Sequence, residues 1–262
     1  MVEQRIENPR VTSSTLVLGN TIKTIQKMFY KKKKISVQQS VIHKFSKQKF
    51  LANIFKNNKS KSMLLAISGG QDSISILFLF NFLQKLNNWK LGIVHCNHMW
   101  QSDAIINASV MSVFIKELNL NYYEAISTIS IKNEEEARLW RYQSITKIAT
   151  LHGYELIVTG HTASDNIETF MLSFLRNCQL KTIKDQKKSA KKSNIRLQYL
   201  RPLLKFSRFE TKLFCEKYNL PVKVDITNKN LTFQRNRIRY ELLPYIRKFF
   251  NKNFDNTLFL NL

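Results

Sequence analysis

The sequence predicts an α/β domain whose parallel sheet is covered by helices on both faces, carrying basic helical appendages. Three observations predict it. Short apolar runs at Met63–Ile67, Leu91–His95, Tyr122–Ile126 and Leu156–Gly160 alternate with longer segments of helical period, the pattern of strand–helix–strand units. The first run breaks off into Ser68-Gly69-Gly70, and an apolar stretch resumes at Ile74–Phe80; this reads as buried strand, tight turn and helix start. Finally, 44% of the 262 residues are hydrophobic, enough for one sizeable core with appendages.

The elements follow in order. Residues 1–30 have weak pattern and many polar side chains, a poorly ordered start. Lys31–Lys34 is a block of like charge, either a nucleic-acid contact or a solvated tail. Val41, Phe45, Ile54 and Phe55 fall in a loosely helical pattern within 37–55, an amphipathic helix packing on the domain or on RNA. The boundaries are set at 1–58 for this extension, 59–240 for the main domain and 241–262 for a short helical tail.

Met63–Ile67 is a strand leading to a helix from about Asp72 to Lys85. Gly69 and Gly70 let the backbone turn sharply and approach a ligand, and Asp72 or Ser73 caps the helix. The exposed N–H groups and the positive end of the helix dipole suit an anion such as pyrophosphate. Leu91–His95 is a second strand, Ser102–Leu118 a helix and Tyr122–Ile126 a third strand. Glu134–Leu151 is a strong helix, with Ala137, Trp140, Ile145, Ile148 and Ala149 at helical spacing and glutamates in the first turn. Leu156–Gly160 is a fourth strand and Asp165–Leu175 a helix. Residues 177–194 are lysine-rich and read as a surface loop. Leu197–Leu204 is strand-like and ends at a proline. Ser207–Tyr218 is a helix capped by Ser207, and Arg235–Phe249 a helix interrupted by Pro244. Phe254–Leu262 is too short for a further domain.

The formal net charge is +24 with a pI near 10.0, which points to a polyanion, RNA or DNA first and a membrane surface second. No apolar run approaches the roughly 20 residues that span a bilayer. Lysine and asparagine are abundant throughout, a bias that also fits an AT-rich plastid or reduced bacterial genome and so discounts the charge argument. Cys96, Cys178 and Cys215 are scattered and form no Cys-x-x-Cys. That argues against a zinc ribbon, an iron–sulfur site or a disulfide scaffold and for free thiols in a reducing compartment. The amino terminus lacks a hydrophobic signal core.

Ligands of open parallel sheets bind at the carboxyl ends of the strands. Three polar groups fall there: Ser68–Ser73, His95-Cys96-Asn97-His98, and Gly160-His161 through Asp165 to Glu168-Thr169. The first is not the lysine-bearing phosphate loop, since no Gly-Lys-Ser/Thr follows, nor the Gly-x-Gly-x-x-Gly dinucleotide turn. His95 and His98 lack the partners for a zinc site. Asp72 and Asp165 suit magnesium, which takes one or two carboxylates with phosphate oxygens and water; for Asp165 the alternative is plain helix capping.

Ser68-Gly69-Gly70-Gln71-Asp72-Ser73 resembles the signature of the PP-loop ATP pyrophosphatases, which cleave ATP to AMP and pyrophosphate. Further stretches resemble the tRNA(Ile)-lysidine synthase branch of that family. They are His95-Cys96-Asn97-His98, the helix Glu136-Ala137-Arg138-Leu139-Trp140-Arg141-Tyr142, and Gly160-His161 with Asp165 and Glu168-Thr169. Arg201-Pro202-Leu203, Asp225-x-Thr227-Asn228 and Phe233-x-Arg235-Asn236-x-x-Arg239 complete the set. The loop His95–Gln101 looks most like plastid-encoded members. Two features depart from the pattern: Ser164 stands where many relatives have a second aspartate, and 175–179 replaces a glycine-rich loop.

The resemblance implies a ligase that forms a carbon–nitrogen bond. It would join free L-lysine to C2 of the wobble cytidine of tRNA(Ile) with the CAU anticodon, using ATP and Mg2+. The expected nucleotide site is Ser68, Gly69, Gly70, Gln71, Asp72 and Ser73, with His95, Asn97 and His98. Asp72 and Asp165 are the expected metal ligands. Asp72, Asp165, Arg138, Arg141, His161 and Arg235 are the expected catalytic set, with Asp165 and His161 the candidate bases for the lysine amine. Arg138 and Arg141, three apart on one helix, would neutralise phosphate charge or pair with Glu134 or Glu135. Arg235, Arg237 and Arg239 would meet the α-phosphate or the tRNA. The implied compartment is the plastid stroma, with bacterial cytoplasm as the alternative. No membrane role is implied, and the oligomeric state stays open, a homodimer included. The rival readings are another PP-loop enzyme, such as a tRNA thiolase, and a basic RNA-binding protein with a decayed ATP site.

Overall fold

The computed structural model describes residues 61–99, 104–128, 131, 133–177, 197–223 and 231–261. The expected basic extension, Trp100 and Gln101, Cys178 with most of the lysine-rich loop, and the Asp225–Asn228 motif lie outside these.

Five parallel strands form one sheet in the order β3-β2-β1-β4-β5. They are β1 (Ser62–Ala66), β2 (Lys90–Asn97), β3 (Asn121–Ile126), β4 (Leu156–Thr159) and β5 (Gln198–Leu200). Between them run α1 (Gln71–Asn87), α2 (Ala104–Glu117), α3 (Glu134–Leu151) and α4 (Ala163–Asn177). After β5 comes α5 (Arg208–Lys217), then α6 (Gln234–Arg237), α7 (Leu243–Phe249) and α8 (Phe254–Asn261).

Alternating strand positions face opposite layers. Met63, Leu65 and Ile67 join Ile74, Leu77 and Phe80 of α1, Phe114 and Ile115 of α2, and Phe214 of α5 in one core. Leu64, Val94 and Ile157 pack on the other face against Ile145 and Ala149 of α3 and the fully buried Tyr154. Both faces are therefore covered, as the unbroken apolar runs require. A third cluster joins Ile167 and Met171 of α4 to Ile238 and Leu243. It docks the carboxy-terminal helices beside the sheet rather than upon it.

Three local readings need correction. β2 does not stop at His95. Its pairing with β3 continues to Asn97 opposite Ile126, so His95, Cys96 and Asn97 are strand residues and only His98 and Met99 lie beyond. α1 is capped by neither Asp72 nor Ser73: Gly70 is the N-cap, with no side-chain cap bond. The helix expected from Arg235 is not broken at Pro244. Gln234–Arg237, a π-helical segment Ile238–Leu242 and Leu243–Phe249 run on without a gap. Pro244, which has no N–H to give, sits just after the widened turn. The boundary at 240/241 falls inside this run.

Candidate active site

From β1 the chain moves outward through β2 to β3, then returns to place β4 on the other side of β1. The crevice between the ends of β1 and β4 is thus a topological switch point, where open parallel sheets bind ligands.

The turn after β1 lies there. Gly69 has φ +89°, a conformation that favours glycine. Ser73 Oγ donates to the Gly70 carbonyl at 2.8 Å and accepts from the Ser68 N–H at 3.3 Å. Ser68 Oγ lies 3.3 Å from Ser73 Oγ. The two hydroxyls therefore close the turn on itself. At the opposite wall a Cβ on Gly160 would come within 3.2 Å of the Ser73 nitrogen and 3.3 Å of the Asp72 carbonyl carbon. Glycine there lets the loop after β4 lie directly against the start of α1.

Helix α5 supports the turn from a third side. Gln71 Nε2 donates to the Arg208 carbonyl at 2.7 Å and to Thr211 Oγ1 at 3.0 Å, so its amide is committed to α5. Thr211 Oγ1 donates a short hydrogen bond to Asp72 Oδ1. The Arg208 N–H donates to Ser164 Oγ at 3.1 Å. Ser207 begins α5 with a reciprocal capping box to Glu210, as its place in the sequence requires.

Asp72 and Asp165 meet across this crevice through one cation. Arg208 places Nε 3.7 Å from Asp72 Oδ2 and Nη1 4.0 Å from Asp165 Oδ1. Burial lifts Asp72 above the usual carboxylate range despite Arg208 and Thr211. Burial also acts on Asp165, but there the Arg235 guanidinium, the Thr162 N–H and Arg208 outweigh it and hold the carboxyl low. Asp165 Oδ2 accepts from the N–H and Oγ1 of Thr162, both at 2.9 Å, while the Asp165 N–H reaches back to Thr162 Oγ1 at 3.3 Å. Its Oδ2 thus completes a capping arrangement and its Oδ1 faces Arg235 at 3.2 Å. Metal ligation and capping are compatible in this carboxylate.

His161 is hydrogen-bonded through Nδ1 to Thr159 Oγ1 at 3.0 Å. Burial, with Arg201, Arg138 and Arg235 nearby, drives its pKa down to about 4 despite the opposing Asp165 carboxylate. It is a neutral imidazole at pH 7. Arg138 is exposed and lies over the Tyr142 ring at 5.2 Å, whereas Arg141 turns inward toward Cys96 and donates to the Ala137 carbonyl at 3.4 Å. Glu134 pairs with Arg235 instead, at 4.0 Å.

The β2 residues support the site from its far side. His95 Nδ1 donates to the Ile67 carbonyl at 2.8 Å, bracing the residue before the turn. Asn97 is buried; its Nδ2 donates to Glu124 at 3.3 Å and its Oδ1 accepts the Met99 N–H at 3.0 Å. His98 meets the edge of Trp140 at 5.3 Å. Burial and Arg141 lower its pKa to about 4.

Sequence reasoning left three residues out of the expected site: Glu168, Arg208 and Thr211. Glu168, 1% exposed, takes Nε and Nη2 of Arg239 at 2.6 and 2.7 Å and Nε of Arg235 at 2.8 Å. Arg239 and Arg235 are thereby paired to carboxylates, while Arg237 pairs outward with Glu241 at 3.1 Å. The spacing Asp165-x-x-Glu168, which puts both carboxylates on one helix face, was the available signal. Arg208 and Thr211 gave none. Among the described residues no cluster of three or more His, Cys, Asp or Glu side chains could hold a metal. Two carboxylates reaching for one cation do fit magnesium, which needs few protein ligands when phosphate oxygens supply others.

A parallel sheet with this turn at its switch point defines a PP-loop protein, and residues 43–246 match the PP-loop domain family. The chain is 32% identical to the chloroplastic tRNA(Ile)-lysidine synthase of Zygnema circumcarinatum, over 92% of its own length and 62% of that protein's. It is 40% identical to the tRNA(Ile)-lysidine synthase of Nostoc sp., covering 76% and 57% of the two chains. For the chloroplastic enzyme of Pyropia yezoensis the figures are 34%, 85% and 67%. The chain belongs to the tRNA(Ile)-lysidine synthase family, and it spans about three fifths of the length of the first two relatives. Its fold is also that of a U34-tRNA thiolase from Methanococcus maripaludis, with a TM-score of 0.60 at 15% identity over 82% and 79% of the two chains.

Proposed function

We propose that the chain is a tRNA(Ile)-lysidine synthase acting on the CAU-anticodon tRNA(Ile) with ATP, Mg2+ and free L-lysine. The observation that carries this reading is the meeting of Asp72 and Asp165 around Arg208, beside a closed Ser-Gly-Gly turn at the switch point. The first step joins the cytosine C2 oxygen to the α-phosphorus of ATP and releases pyrophosphate. The lysine ε-amine then attacks C2 and AMP departs.

Each group has a task set by that chemistry. Cytosine oxygen leaves poorly, so adenylation is needed before an amine can displace it. Ser68, Ser73 and the first-turn N–H groups of α1, which have no partner within the helix, suit the departing pyrophosphate. Asp72 and Asp165 would hold Mg2+, which supplies charge neutralisation at the phosphates. The exposed Arg138 adds positive charge at the crevice mouth.

The lysine amine sets a further demand. With a reference pKa of about 10.4, only about one amine in a thousand is neutral near pH 7.4, a penalty of roughly 4 kcal/mol. His161 is neutral but weakly basic, and the Asp165 carboxylate is already held by cations. Desolvation of the amine in the crevice therefore supplies most of the offset, and the proton leaves to solvent.

A thiolase reading is weakened by Cys96. Burial pushes its thiol up to about 12 despite Arg141, whereas sulfur transfer needs a thiolate. No helix among the described residues is long and apolar enough to cross a membrane. Plastid stroma is the compartment this reading favours, several relatives being chloroplastic by name. Pyrophosphate release that requires the cognate tRNA, with AMP release that requires lysine as well, tests the function; release of either without the tRNA, or of neither with tRNA and lysine both present, refutes it.

A further inference from the structure

Arg208 is not among the residues that the family resemblance marks, yet it touches both proposed metal carboxylates. Its backbone is fixed independently of its side chain. The N–H bonds Ser164 Oγ at 3.1 Å, and the carbonyl accepts from Gln71 at 2.7 Å. The side chain is 31% exposed at the crevice, while Asp72 and Asp165 are each 13% exposed. The first turn of α5 therefore aims a guanidinium, from a locked backbone, at the point where two carboxylates converge. Two like charges so placed repel unless a cation lies between them.

We propose that Arg208 is a stand-in cation: in the unloaded protein it neutralises Asp72 and shares Asp165 with Arg235, and it yields both carboxylates when a divalent cation arrives with nucleotide, turning its guanidinium to the phosphate oxygens. The inference rests on the ATP-dependent reading above and deepens it. Arginine suits the exchange because its planar fork binds carboxylate and phosphate with the same geometry. Arg208 then opposes the divalent cation alone and favours the cation–nucleotide pair. The two ligands are coupled, and the coupling is reciprocal.

The test measures Mn2+ binding by the loss of the free-ion electron paramagnetic resonance signal, with and without the α,β-methylene analogue of ATP, using the whole chain. In Arg208→Gln, Mn2+ alone binds about fivefold tighter, a modest change because the site is partly exposed, while the analogue binds about tenfold weaker, as expected for a lost charge-assisted contact. Arg208→Lys keeps the charge and leaves the affinity for Mn2+ alone close to that of the unchanged chain. A merely structural role would weaken both ligands together. Because the locking contacts are backbone ones, both variants keep the unchanged chain's circular dichroism spectrum. Mn2+ affinity in Arg208→Gln that is equal to or weaker than in the unchanged chain overturns the stand-in role and leaves the function intact. An unchanged chain that binds neither ligand, even together, overturns both.

Discussion

Arg239 grips Glu168 through two hydrogen bonds, Nε to Oε1 at 2.6 Å and Nη2 to Oε2 at 2.7 Å, across 71 residues of chain. Glu168 is 1% exposed, and Arg235 approaches it from the same helical run. This clasp, with the small apolar cluster of Ile167, Met171, Ile238 and Leu243, holds the carboxy-terminal helices against α4. It also sets where Arg235 stands relative to Asp165.

Glu168→Ala takes from Arg239 its bidentate partner and leaves Arg235 only Asp165 and the more distant Glu134, so it should destabilise the fold by about 3 kcal/mol, the scale for breaking one side of a buried pair. Denaturant unfolding measures this. Glu168→Gln should recover less than half the loss, because an amide lacks the charge. A change below about 0.5 kcal/mol, ordinary for surface substitutions, would show that the clasp does not hold the helices.

Gly160→Ala puts a methyl group 3.2 Å from the Ser73 nitrogen. The neighbour is helix backbone and yields little, so a loss of about 1 kcal/mol is expected. Weaker binding of the ATP analogue should accompany it, since the methyl presses on the turn itself. Unaltered nucleotide affinity would mean that the loop after β4 does not shape the pocket.

Much of this site was legible because its signals are local. The Ser-Gly-Gly turn, the glutamates that open α3 and the Ser207 cap each lie within a few residues of chain. The reading failed where pairing is distant. Thr211 reaches Asp72 across 139 residues, and nothing periodic marks such a partnership. β2 was cut short because its last residues are polar; pairing with β3 outweighs that, and places His95 to brace Ile67. Cap chemistry at α1 was misjudged because Asp72 is drawn to α5 and Ser73 closes the turn instead.

Acid should weaken the fold through its depressed histidines. His161 and His98 have folded pKa values near 4, below the ordinary 6.5. Between those values the unfolded chain binds more protons, so stability is full above about pH 6.5 and falls as pH drops toward 4. Comparing unfolding at pH 7 and pH 5 in the unchanged chain and in His161→Gln checks this, and the substitution should narrow the difference. An equal or larger difference would place His161 outside the crevice.

With a formal charge of +24, tRNA affinity should fall at least about tenfold between 50 and 200 mM salt. Filter binding measures it. Asp72→Ala should leave this binding nearly intact while abolishing pyrophosphate release, separating RNA affinity from the chemistry. Retained turnover in that variant would contradict a metal role for Asp72.

The most direct measurement is mass spectrometry of the wobble nucleoside after incubation with CAU-anticodon tRNA(Ile), ATP, Mg2+ and isotopically labelled lysine. The cytidine is expected to gain labelled lysine, with one AMP and one pyrophosphate formed per modified base. An unmodified cytidine, or one carrying sulfur and no label, would contradict it.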